Sequence, residues 1–182
     1  MVNPVKDVEL KLIGELMRNS RRSDRELARA VGVSQPTISR AIAKLKKDGV
    51  IREFTVIPDY EKLGYSLVAF TLIKMKADIT RQEIEEAREI SLRDMKKAPS
   101  NIVLFERGLG DGYVGILVSF HEDYSDYSKL KDRMKQYPFL NLSNTLSFIL
   151  DLKDKIHYRY LTFSTLASHL LEKAKEKREE QS

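Results

Sequence analysis

Between Ser23 and Gly49 the sequence spells two short helices around one sharp turn, with residue types that fix where each helix starts and stops. Ser23 and Glu26 stand at capping-box spacing, where hydroxyl and carboxylate each satisfy a backbone N–H that has no partner inside the helix. Leu27, Ala28 and Val31 form the apolar stripe of this first helix. Gly32 supplies the backbone freedom for a reversal between packed helices, and Ser34 is placed to cap the second one. Pro36 fits the opening turn because N–H groups there have no intrahelical acceptor. Gly49 stands where a left-handed terminal cap is expected, before Val50 begins an extended stretch. The pattern is a helix-turn-helix.

The second helix divides its side chains in a way that a plain core helix does not. At 100° per residue Ile38, Ile42 and Leu45 share one face, while Pro36, Arg40, Ala43 and Lys47 fall opposite, flanked by Thr37 and Lys44. Such a helix anchors inward and offers cations outward, which suits the major groove of double-stranded DNA. Arg40 matches the bidentate edge of guanine, Ala43 a thymine methyl, and Lys44 and Lys47 phosphates. Ser34, Gln35 and Thr37 lie at the N-terminal end, where such helices meet bases. The candidate DNA contacts are these residues together with Pro36, Ser39 and, beyond the helix, Arg52.

Charge supports the same partner. The chain has 32 Lys and Arg against 27 Asp and Glu, and residues 1 to 60 hold 12 of the bases but only 8 of the acids. That basic excess attracts phosphate. With 182 residues and 42% hydrophobic content the chain can bury one or two cores. It has no run of eighteen apolar residues and no apolar leader at its N-terminus, so a cytoplasmic, non-membrane protein is expected. Without cysteine there are no disulfides, thiolate metal sites or Cys nucleophiles. His121, His157 and His169 lack metal-ligand spacing and read as surface or packing residues. No phosphate-binding glycine loop or Gly-x-Ser-x-Gly occurs. Neither an enzyme nor a cofactor is expected.

Residues 5 to 19 form a further helix through Val8, Leu12, Ile13 and Leu16, packed under the other two. Val50 to Ile57 is β-prone and forms a short wing or connecting strand. A linker at 59–64, marked by Pro58, Asp59 and Gly64, separates a DNA-binding domain at 1–58 from a second domain at 65–155. There the period alternates as β-α-β-β-α-β: strand 65–77, helix 79–97, strands 101–107 and 112–120 joined by the turn Gly108 to Asp111, helix 123–136 and strand 142–152. The fold class is α+β, a winged helix-turn-helix followed by a ferredoxin-like sheet covered by two helices on one face. Strands 67–73 and 113–118 are apolar on both alternating sets, so the other face needs a cover, which a second copy of the chain supplies. Residues 156–182 form a C-terminal helical extension, with Leu166, Leu170 and Ala174 at helical spacing. It either extends the dimer contact or caps the domain.

Over most of residues 5 to 155 the chain resembles the Lrp/AsnC family of bacterial and archaeal transcription factors. The residues carrying this are Asp7, Leu12-Ile13, Leu16, Asn19, Arg22-Ser23, Glu26-Leu27-Ala28, Gly32-Val33-Ser34, Thr37-Ile38, Arg40-Ala41-Ile42, Leu45, Gly49-Val50-Ile51 and Phe54-Thr55. The resemblance implies operator DNA, assembly as a homodimer, tetramer or octamer through the sheet domain, and an amino-acid effector in many members. It implies an effector site at Gly108, Gly110 and Asp111, with Thr145 and Ser147 nearby. The family turn has a larger residue where Gly110 stands, and Gly112 adds flexibility after Asp111. Two other classes share these features: an RNA binder using the sheet, suggested by Arg107-Gly108 and Gly112-Tyr113-Val114, and a small-molecule sensor or enzyme on the same fold.

Overall fold

The computed structural model describes residues 6–98, 101–156, 158 and 161–179. His157 lies outside them. The elements are α1 (Asp7–Arg18), α2 (Asp24–Val31), α3 (Gln35–Lys47), β1 (Leu67–Ile73), α4 (Arg81–Met95), β2 (Ile102–Gly110), β3 (Tyr113–His121), α5 (Tyr124–Met134), β4 (Leu146–Asp151) and α6 (Ser164–Glu179). They sort into two units, Met1–Ile57 with Tyr158–Ser182, and Pro58–His157.

In the first unit α1, α2 and α3 close on one core, with Leu12 and Leu16 packed against Leu27, Val31, Ile38 and Leu45. The capping box forms as expected: the Glu26 N–H donates to Ser23 Oγ at 3.3 Å, and the Ser23 N–H to Glu26 Oε2 at 2.7 Å. Gly32 and Gly49 take positive φ, 82° and 70°, and end the two helices. Residues 50–57 differ from expectation and form no hydrogen-bonded strand. Their β propensity needs a neighbouring ladder that their own unit does not supply. Val56 stays 73% exposed.

The C-terminal stretch is not a separate extension. α6 packs along α1, with Ala167 and Ala174 fully buried and Leu171 seated over Gly14. A Cβ on Gly14 would lie 2.8 Å from Leu171 Cγ, so any larger residue there would require Leu171 to shift.

The second unit is a four-stranded antiparallel sheet in the order β2-β3-β1-β4. Alternation along β1 and β3 turns Ile73 and Leu117 toward Leu130 and Met134 of α5. His121 is fully buried on that side, its Nδ1 2.8 Å from Asp126 Oδ2 and its Nε2 2.8 Å from Ser119 Oγ. It is a packing residue that ties α5 to the sheet. The Ser-His-Asp order of these three is not a hydrolytic arrangement, because Ser119 is itself fully buried. On the opposite face Leu104, Leu146, Phe148 and Leu150 remain exposed. The β2–β3 turn lies two residues later than expected: Asp111 and Gly112 are its central pair, with φ of 47° and 77°, between the paired Gly110 and Tyr113. Two successive positive φ values favour Asp-Gly there. Among the described residues no helix is long and apolar enough to cross a membrane.

Candidate nucleic-acid interface

The outward face of α3 is set by what its inward face does. Ile38 and Leu45 are at most 1% exposed, and Ile42 is half-buried in the same core. Because the helix is fixed in rotation by these anchors, Gln35, Pro36, Ser39, Arg40, Ala43 and Lys47 are exposed together, with Thr37 half-exposed beside them. The first turn carries no acid, and Lys44, Lys46 and Lys47 occupy the last turn, where they complement the helix dipole.

Individual side chains are committed to different degrees. The Nε of Arg40 donates to the Pro36 carbonyl at 3.2 Å, and among the described residues no carboxylate pairs with this guanidinium or with Lys47. Ser34 has the extended backbone of a cap but not the cap bond. Its hydroxyl meets that of Thr37 at 2.8 Å, so the expected side-chain cap is replaced by a hydroxyl pair. Ser39 donates to Asp24 Oδ2 at the start of α2.

Lys44 departs most from expectation. Its ammonium is 2.9 Å from Glu9 Oε1 on α1 and 3.1 Å from Asp48 Oδ2. The hydrogen bonds it donates to Glu9 and then Asp48 push the Lys44 pKa up. The Glu9 carboxyl is held below its ordinary value, first by the Lys6 backbone N–H at 2.9 Å and then by Lys44. Lys44 therefore docks α3 on α1, and among the described residues the exposed cations of α3 without a carboxylate partner are Arg40, Lys46 and Lys47, of which Arg40 and Lys47 share the face opposite Ile38 and Leu45. Arg52 is exposed on the 50–57 segment beyond the helix. Glu9 and Asp24, which position α3, were missed from sequence because their partners lie 35 and 15 residues away.

The residues expected around an effector are not gathered. Gly108 and Gly110 belong to the end of β2, and Asp111 starts the turn. Thr145 donates to the Asn141 carbonyl at 3.0 Å, and the Ser147 hydroxyl pairs with that of Thr71 at 3.3 Å on the helix-covered face. Lys74 lies over the Tyr113 ring at 5.4 Å, so this aromatic is not an open stacking surface. No three His, Asp or Glu side chains among the described residues come together as a metal site.

Residues 6–52 match a family described as winged helix-turn-helix DNA-binding. The HTH-type transcriptional regulator PF2053 of Pyrococcus furiosus is 50% identical over 70 residues, covering 38% of this chain and 47% of that one. PH0061 of Pyrococcus horikoshii, also described as an HTH-type transcriptional regulator, is 40% identical over 101 residues, 53% of this chain and 68% of its own. The crystal structure of PH0061 superposes with a TM-score of 0.67 at 27% identity, over 87% of this chain and 99% of that one. The regulator NMB0573 of Neisseria meningitidis, solved with L-Met, gives 0.67 at 20% identity, over 90% and 99%, a likeness of fold alone. The chain spans about half the length of most curated relatives it matches.

Proposed function

The chain belongs to the Lrp/AsnC family of regulators, and from that premise we propose that it is a sequence-specific transcription regulator that reads double-stranded DNA with α3. The observation that carries this is the division of α3: Ile38 and Leu45 sealed in the core, Arg40 and Lys47 outward and, among the described residues, without a carboxylate partner. Arg40 reads a base edge, Lys47 and Arg52 hold phosphates, and Ser34, Gln35, Pro36, Thr37 and Ala43 line the approach. Ser39 and Lys44 position the helix. Residues 1–58 are the DNA-binding part and 65–155 the assembly part. The exposed Leu104, Leu146, Phe148 and Leu150 support assembly through the open face of the sheet. A homodimer then presents two α3 helices to successive major grooves about 34 Å apart, so the operator is roughly palindromic. The protein works in the cytoplasm, without a catalytic step. An amino acid bound near Gly108, Gly110 and Asp111 modulates it.

Selection of sites from a random duplex pool, followed by titration at several salt concentrations, tests this. Arg40→Ala is expected to cost roughly 1–3 kcal/mol on the selected site and to relax its sequence preference. Lys47→Ala weakens all duplexes alike and lowers the salt slope by about one. Unchanged footprints for Arg40→Ala refute the assignment of the base reader.

A further inference from the structure

A cavity of about 260 Å³ lies between the sheet and the C-terminal ends of α4 and α5, just under the roughly 300–1,000 Å³ of ordinary small-molecule sites. Its floor is apolar: Ile73, Ile102, Phe105 and Leu117 of the sheet, with Leu130 and Met134 of α5. One wall is Tyr137 to Leu140, held in place where the Lys76 N–H donates to the Phe139 carbonyl at 3.1 Å and the Asn141 N–H to the Lys74 carbonyl at 2.8 Å. The DNA-reading surface uses none of this.

The polar groups of the cavity are Ser91, Asp94, Lys97, Arg133, Gln136 and Tyr137, so two cations stand against one carboxylate. Asp94 is already engaged through both oxygens, Oδ1 with Arg93 Nε at 2.8 Å and Oδ2 with the Tyr137 hydroxyl at 3.2 Å. Among the described residues neither Lys97 nor Arg133 has a carboxylate within ion-pair distance. Because Arg93 already meets the charge of Asp94, the lining is net positive, and with its apolar floor it complements one negative charge on a hydrocarbon body. A ligand ammonium would instead face Lys97 and Arg133 with Asp94 already satisfied. We infer that this cavity binds a small apolar carboxylate lacking an amine, its body on the floor and its carboxylate on Arg133 and Lys97. Burial raises the Tyr137 pKa, consistent with a water-poor wall.

Calorimetric titration of the full chain with three ligands of one shape decides the matter: 3-phenylpropanoate, the neutral 3-phenylpropanamide, and L-phenylalanine. The carboxylate is expected to bind saturably, and the amide and the amino acid at least tenfold more weakly. Arg133→Gln, on an exposed side chain, is expected to weaken the carboxylate roughly ten- to a hundredfold. Ser91→Phe, which fills the cavity from α4, is expected to abolish binding with the far-UV spectrum unchanged. If Ser91→Phe does not fold, Arg133→Gln decides alone. No saturable binding at low millimolar ligand, equal binding of the amide or of L-phenylalanine, or indifference to Arg133→Gln overturns the inference. Titration of the same samples with the selected duplex scores the DNA assignment separately, since that assignment involves no residue of this cavity.

Discussion

Gly14 offers a test in which the sign of an effect depends on one helix. In an isolated helix interior, Gly→Ala stabilises by about 0.8–1 kcal/mol through backbone entropy. On α1 the added methyl would stand 2.8 Å from Leu171 Cγ, 3.0 Å from Leu171 Cδ2 and 3.3 Å from the Ala167 carbonyl of α6. Leu171 can rotate away, but the carbonyl is backbone and cannot, so overpacking of about 1–3 kcal/mol is expected. In the full chain the two terms leave Gly14→Ala between neutral and roughly 2 kcal/mol destabilising. In a chain truncated after Leu161 the overpacking partner is gone, and the same substitution stabilises α1 by close to 1 kcal/mol. Because the two units need not unfold together, the readout is amide exchange in α1 peptides and not a global melting curve. The coupling between truncation and substitution is then on the order of 1–3 kcal/mol. If Gly14→Ala shifts exchange equally in both chains, α6 does not rest on α1.

Glu9 has a folded pKa below its ordinary value of 4.5, so the stability it contributes is complete above about that pH and is lost as pH falls through the depressed value. Lys44→Met removes the second cause but not the Lys6 N–H, so the acid limb of first-unit unfolding should become shallower without disappearing. Gly112→Ala places a Cβ at φ 77° and should cost roughly 1–2 kcal/mol in urea unfolding of the second unit. Phe148→Lys, at a side chain 66% exposed, should leave the circular dichroism spectrum intact and, if the proposed homodimer forms through the open sheet face, give monomers in light scattering where the unaltered chain gives dimers.

What the sequence disclosed was what is encoded within a few residues. The capping box at Ser23 and Glu26, the reversal at Gly32 and the stop at Gly49 are local, and each forms where expected. The βαββαβ order was legible because the hydrophobic period changes at each junction. The turn was displaced because Gly108, Gly110 and Gly112 give three equivalent breaks, and only pairing of Gly110 with Tyr113 selects among them. The seat of α6 left no pattern, since Gly14, Ala167 and Ala174 are small residues whose value lies in letting backbones approach. Lys44 and Lys47 show why the site itself was only partly readable. They sit one turn apart as equal cations by composition, and what separates them is that Lys44 pairs with Glu9, 35 residues upstream, and with Asp48. A cation on a reading helix is therefore a ligand candidate only once the acids of the helix beneath it have been assigned, and here that assignment takes Lys44 off the proposed reading face and keeps Arg40 and Lys47 on it.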